Sequence, residues 1–189
     1  VIPDPVPTPE PDPTPDPVPV PDPVPTPDPT PPPSGFALIT GTNQNDTLTG
    51  TATNDHLNGL DGNDILHGLP GNDLIEGGAG NDVLHGNDGD DVMRGGTGDD
   101  TLYGNAGNDN LYGGAGKDVL IGGDGKDVFV YQALTDSTTE FRDFIESFAS
   151  SQDKFDFSNL NIHFDDLTIA QQNGYTNIYI NDSNFAVQI

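Results

Sequence analysis

From Gly41 to Val130 the chain repeats itself every nine residues, ten times in succession, with no insertion or deletion. In register the units read GTNQNDTLT, GTATNDHLN, GLDGNDILH, GLPGNDLIE, GGAGNDVLH, GNDGDDVMR, GGTGDDTLY, GNAGNDNLY, GGAGKDVLI and GGDGKDVFV. Position 1 is always glycine and position 6 always aspartate, and position 8 is always large and apolar, from Leu48 through Met93 to Phe129. Position 4 is glycine from the third unit onward, from Gly62 to Gly125. A fixed short period of this kind confines a chain to a solenoid, in which each unit buries its apolar face only against its neighbours.

The unit reads as turn then strand. The glycines at positions 1 and 4 are predicted to take the positive φ of a tight turn, and the three residues around position 8 form a short strand whose middle side chain points inward. Two units make one coil. Odd-numbered units therefore stack along one side and even-numbered units along the other, about 4.8 Å apart. One buried apolar side chain per nine ordered residues is a poor return on the backbone entropy lost, and stacked aspartates repel one another. A hard divalent cation reverses that balance, because Ca²⁺ takes six to eight oxygen ligands from carboxylates and carbonyls, whereas Mg²⁺ demands stricter geometry and keeps its waters.

The units resemble the G-G-x-G-x-D-x-U-x nonapeptide of RTX (repeats-in-toxin) proteins, a calcium-binding parallel β-helix repeat. The resemblance implies an all-β chain: a right-handed parallel β-roll over residues 34–130, with an ion between each unit and the next but one. It implies side-chain ligands at Asp64, Asp73, Asp82, Asp91, Asp100, Asp109, Asp118 and Asp127. These pair as Asp64–Asp82, Asp82–Asp100, Asp100–Asp118, Asp73–Asp91, Asp91–Asp109 and Asp109–Asp127. Backbone carbonyls of Gly59, Gly68, Gly77, Gly86, Gly95, Gly104, Gly113 and Gly122 are further expected ligands. About six Ca²⁺ ions follow, and up to eight if Asp46 and Asp55 take part, although Gln44 and Thr53 stand where their units need a glycine. Asp61, Asp88 and Asp124, at position 3 of their turns, complete the candidate set. Lys117 and Lys126, at position 5 of the last two units, are expected to end the array. Position 9 forms surface ladders, His67–His85–Tyr103 on one side and Glu76–Arg94–Tyr112 on the other.

The flanks differ from the repeats. Residues 1–33 hold 17 of the 18 prolines, mostly at alternate positions, and proline fixes φ, lacks an N–H and pushes its predecessor to extended geometry. A polyproline II linker or stalk is expected there, with a further domain ahead of it. SGFALIT (34–40) fits the nonapeptide frame as a half-unit, with Ile39 at position 8 and Ala37 in place of the aspartate. Residues 131–189 turn aromatic; RDFIESF and DKFDFSNL resemble stretches that follow the repeats in type I-secreted, serralysin-like proteases. LTIAQQ, NIYI and FAVQI then alternate as a three-stranded antiparallel meander with a turn at Asn173–Gly174, expected to cover the open end of the roll.

Function classes narrow accordingly. With 31 acidic against 5 basic residues the net charge is −26, which repels nucleic acid and anionic membrane. The chain has no cysteine, so neither disulfides nor thiolate metal sites contribute; no apolar run is long enough to span a membrane. No H-E-x-x-H, G-x-S-x-G or phosphate loop occurs, and the chain is not expected to be an enzyme. The expectation is a calcium-binding module of a bacterial secreted or cell-surface protein, folding after type I export. The alternative is a structural subunit of an extracellular fibre, adhesin or surface layer, polymerising through the proline-rich segment or the C-terminal β cap.

Overall fold

The computed structural model describes residues 35–138, 142–160, 162, 167–172, 175–180 and 186–189. All of them belong to the unit from Pro32 to Ile189. The polyproline segment, the Asn173–Gly174 turn, and Phe141, Phe164 and Phe185 lie outside the described residues.

The strands are β1 Ala37–Thr40, β2 Thr47–Thr49, β3 Asp55–Asp61, β4 Ile65–His67, β5 Leu74–Ala79, β6 Val83–Asp88, β7 Val92–Thr97 and β8 Thr101–Ala106. They continue as β9 Asn110–Ala115, β10 Val119–Asp124, β11 Val128–Val130, β12 Asp143–Glu146, β13 Lys154–Asp156, β14 Leu167–Gln172, β15 Tyr175–Ile180 and β16 Ala186–Gln188. One short 3-10 turn spans Ser158–Leu160. The strands build two sheets, one ordered β1-β3-β5-β7-β9-β11-β13 and the other β14-β15-β16-β12-β10-β8-β6-β4-β2. This is the β-solenoid expected: odd units supply one parallel sheet and even units the other. The register advances by one coil, Leu84 opposite Leu102 and Ile75 opposite Met93.

The core is a single file on each sheet. From Leu57 to Phe129 every position-8 side chain is fully buried. Ile39 and Leu48, at the first coil, pack against this cluster only partly buried, and the half-unit holding Ile39 pairs in frame with β3, Ile39 opposite Leu57.

Two details differ from expectation. Positive φ falls at positions 2 and 4, not 1 and 4: position 2 is left-handed at Leu60 (φ 79°), Leu69 (71°), Gly78 (114°) and on to Gly123 (110°), and position 4 from Gly62 (131°) to Gly125 (144°). Position 1 needs glycine for room instead. A methyl on Gly59 would lie 2.5 Å from the Gly77 carbonyl oxygen and closer still to Asp64 Oδ2.

The second difference is at the C-terminal end, where the coil does not stop at Val130. After an excursion over residues 131–142 the chain returns to the solenoid: β12 pairs parallel with β10, Leu120 opposite Ile145, and β13 with β11, Phe129 opposite Phe155. Asp143-Phe144-Ile145 and Asp153-Lys154-Phe155 thus occupy positions 6 to 8 of one more coil. The meander β14–β15–β16 is antiparallel as expected, but it joins edge to edge, with Val187 of β16 opposite Asp143 of β12. It protects the exposed edge of the odd-unit sheet by extending it. Ser137 fastens the junction: its hydroxyl donates to the Ala186 carbonyl and accepts the Asp143 N–H at 2.9 Å. Arg142 Nη1 donates to Asn177 Oδ1 at 3.0 Å. Phe148 and Phe155 (centroids 4.9 Å apart) extend the core beyond Phe129.

Candidate metal centres

Each turn ends in its aspartate, and the coil above dictates what that aspartate does. On the odd flank the Asp64 N–H donates to Asp82 Oδ1 (2.8 Å), Asp82 to Asp100 (2.8 Å) and Asp100 to Asp118 (2.9 Å). On the even flank Asp73 donates to Asp91 (2.8 Å), Asp91 to Asp109 (2.9 Å) and Asp109 to Asp127 (3.0 Å). The ladder continues beyond the repeats, Asp118 to Asp143 at 3.0 Å and Asp127 to Asp153 at 3.1 Å. Those last two aspartates escaped the sequence reading because the spacing breaks, although D-x-U recurs at each.

One oxygen of every carboxylate is therefore used. The other is not. Oδ2 of Asp64, Asp73, Asp82, Asp91, Asp100, Asp109, Asp118 and Asp127 is buried and meets no hydrogen-bond donor, and these residues are at most 2% exposed. A buried carboxylate oxygen without a donor is costly. Facing it in six places is a second acceptor. The point where a methyl on the position-1 glycine would sit is crowded both by that turn's Oδ2 and by the position-1 carbonyl of the next coil: Asp64 with Gly77, Asp73 with Gly86, Asp82 with Gly95, Asp91 with Gly104, Asp100 with Gly113 and Asp109 with Gly122. At Gly113 and Gly122 the nearest atoms all belong to Asp118 and Asp127, and one coil further on Asp143 Oδ2 is likewise buried without a donor. Two acceptors converging with no hydrogen between them are what a cation would satisfy. Among the described residues no three His, Cys, Asp or Glu side chains gather, so such sites must draw most of their oxygens from backbone, as Ca²⁺ accepts.

Burial accordingly pushes the carboxyls of Asp73, Asp82, Asp91, Asp100, Asp109, Asp118 and Asp127 up from 3.8, with neighbouring carboxylates adding to the effect and the accepted N–H opposing it. Asp73 and Asp82 rise to about 6, Asp91, Asp109 and Asp118 to about 7, and Asp100 to about 8. Asp143 is raised to about 9, first by burial and then by Asp118.

The remaining candidates sit differently. Asp46 Oδ2 accepts the Thr42 N–H at 2.6 Å, and Asp55 Oδ2 the Thr51 N–H at 2.5 Å. Asp61, Asp88 and Asp124 are exposed on the turns, apart from the buried row. Position 5 carries a ladder of its own, which sequence reasoning missed: Asn81 N–H donates to Asn63 Oδ1 (2.9 Å), Asp99 to Asn81 (3.0 Å) and Lys117 to Asp99 (3.0 Å). Its signal was visible, since eight consecutive units have Asn or Asp there. Lys117 and Lys126 end it because lysine offers no acceptor. On the outer faces His67, His85 and Tyr103 stack at 4.7 Å spacing. Glu76 holds His56 Nε2 at 2.7 Å and Arg94 Nη1 at 3.6 Å, and Arg94 lies 4.9 Å above the Tyr112 ring.

Two family models match parts of the chain. Residues 40–75 and 67–102 match the RTX calcium-binding nonapeptide repeat family, and residues 95–180 match the peptidase M10 serralysin C-terminal family. No curated protein matches the chain. Among solved structures it is similar to the extracellular lipase LipA from Serratia marcescens, with 21% identity and a TM-score of 0.31, covering 82% of this chain and 37% of that one. It is also similar to the AlgE6R3 subunit of the mannuronan C5-epimerase from Azotobacter vinelandii, with 24% identity and a TM-score of 0.33, covering 84% of this chain and 77% of that one. The chain spans little more than a third of the lipase's length. The chain thus carries RTX calcium-binding nonapeptide repeats over residues 40–102, followed by a serralysin-type C-terminal region over residues 95–180.

Proposed function

We propose that this chain is a calcium-triggered folding module of a larger, type I-secreted bacterial protein, unfolded where calcium is scarce and closed into its solenoid outside the cell. The observation that carries this reading is the set of six buried cradles, each with a donorless carboxylate oxygen and a facing carbonyl. Six Ca²⁺ ions lie in them, held by Asp64, Asp73, Asp82, Asp91, Asp100 and Asp109 through Oδ2 and by Gly77, Gly86, Gly95, Gly104, Gly113 and Gly122 through their carbonyls. The aspartate of the coil above holds the turn below through its Oδ1. The ion supplies the positive charge that lets the carboxylates be buried. Extracellular calcium modules bind at about 10⁻⁴ to 10⁻³ M, which keeps such a site empty in the cytoplasm and filled outside.

The serralysin-type match supports export by the type I route. Within this reading residues 34–130 are the calcium-binding roll, residues 131–189 a capping and secretion region, and residues 1–33 a polyproline linker to a preceding domain. The module itself is not catalytic. Among the described residues no helix is long and apolar enough to cross a membrane.

Circular dichroism and light scattering across a calcium titration test the proposal. A coil spectrum in chelator, a cooperative gain of β signal near millimolar calcium and a monomeric product support it. Strand content indifferent to chelator refutes it, and calcium-dependent filaments would make the chain a fibre subunit instead.

A further inference from the structure

The ten aspartates of the repeats fall into two groups that differ in one peptide. In repeats three to ten, position 2 is left-handed, at Leu60, Leu69, Gly78, Asn87, Gly96, Asn105, Gly114 and Gly123. There the aspartate Oδ2 meets no donor. In the first two repeats position 2 is Thr42 and Thr51, neither of them at positive φ. There the position-2 N–H points at Oδ2, at 2.6 Å to Asp46 and 2.5 Å to Asp55, and the threonine hydroxyl joins it at 2.8 and 2.9 Å.

The same device recurs past the other end of the array. Asp153 Oδ2 accepts the Ala149 N–H at 2.7 Å, and Asp136 Oδ2 accepts the N–H of Gln132 at 2.6 Å and of Ala133 at 2.8 Å. In each case one N–H comes from four residues earlier, where φ is not positive, and Asp136 takes a second from three residues earlier. Left-handed backbone at Leu60 and Leu69 is uncommon for such side chains and costs about 1 kcal/mol or more, so those turns are held in the donorless form against local preference.

Resting on the calcium reading above, we infer that the backbone at position 2 decides whether a repeat takes an ion. Where it is left-handed, the N–H is turned away and the carboxylate is left for a cation. Where it is not, the chain's own N–H, reinforced by a threonine hydroxyl, occupies the carboxylate in the ion's place. The cradles of the first coil are otherwise built: a methyl on Gly41 would lie 2.8 Å from the Gly59 carbonyl oxygen and 2.9 Å from Asp46 Oδ2. Thr42 and Thr51 therefore close two sites whose oxygens are already in place. Asp46 and Asp55 act as metal-free end pieces of a metal-dependent array.

The inference predicts a gain of binding. Thr51→Gly combined with Thr53→Gly turns repeat two into GGAGNDHLN, whose turn is identical to that of repeat five. Calcium stoichiometry of the full chain, measured by isothermal titration and native mass spectrometry, should rise by one ion over wild type. Thr42→Gly with Gln44→Gly should add one on the opposite flank, and Thr51→Ser, which keeps both donors, should add none. If wild type binds no calcium the underlying reading fails. If wild type binds calcium and neither double variant gains an ion, or both lose the calcium-induced β signal, the inference is overturned while that reading stands.

Discussion

Replacing Asp100 by asparagine should stabilise the fold in chelator and reduce the stability that calcium adds. Asp100 is 1% exposed; its Oδ1 accepts the Asp82 N–H at 2.8 Å and its Oδ2 meets no donor. Burial, with Asp118 and Asp82 as charged neighbours, raises its carboxyl to about 8. At neutral pH the folded, cation-free chain must either protonate that carboxyl or bury the charge. Roughly three pH units above 3.8, at about 1.4 kcal/mol each, set this burden at no more than about 4 kcal/mol. Asparagine keeps an oxygen for Asp82 and brings an amide N–H to the Gly113 carbonyl that crowds the same point. In chelator, Asp100→Asn should therefore stabilise the fold by up to about 4 kcal/mol. With calcium it removes the Oδ2 ligand from one site. At about 10 mM free ion and a Kd of 10⁻⁴ to 10⁻³ M a site is worth about 1.4 to 2.7 kcal/mol, so the gain in calcium should be smaller than the gain in chelator by that amount. The assay is circular dichroism, reading the trimethylamine-oxide midpoint for folding in chelator and the urea midpoint for unfolding in calcium. A gain no smaller in calcium than in chelator would refute the reasoning that these carboxylates oppose folding until a cation meets them.

Two further expectations follow from the same geometry. Asp73, Asp82, Asp91, Asp100, Asp109 and Asp118 are all raised above 3.8, to between about 6 and about 8. Between pH 4 and 8 the folded cation-free chain thus binds more protons than the unfolded one, and its stability rises as pH falls. Acidifying the chelated protein from pH 8 to 5 should recover β signal, and no recovery would contradict the burial of these groups. Gly80→Ala places a methyl against the Gly62 carbonyl at φ 131°. Strain of this kind costs about 1 to 3 kcal/mol, so the calcium needed for half-maximal β signal should rise several-fold, and an unchanged midpoint would show that the turn relaxes.

How much of this was legible in advance depends on how local the cause is. Glycine at position 1, aspartate at 6 and a large apolar side chain at 8 recur in all ten units. That was enough to assign the two stacked sheets, the one-file core and the buried aspartate row, because a strict period allows only one stacking register. It also placed Asp46 and Asp55 apart from the other eight. The glycine roles were misassigned between positions 1 and 2, since a glycine needed for positive φ and a glycine needed for lack of room look identical as letters. Leu60 and Leu69, in left-handed backbone, show that the stack overrides local preference there.

What the sequence determined alone is the periodic part: a solenoid with a thin core and a surplus of inward carboxylates, since each unit repeats the same short-range instructions. What only the tertiary structure decided is where that pattern ends. Asp143 and Asp153 lie 16 and 26 residues beyond Asp127, so no fixed spacing ties them to the repeats, yet both close the ladders of the coil below. Whether a given carboxylate is left for an ion or capped by its own turn is likewise set by the direction of one N–H. That direction depends on the backbone of the stacked turn, which composition alone does not state.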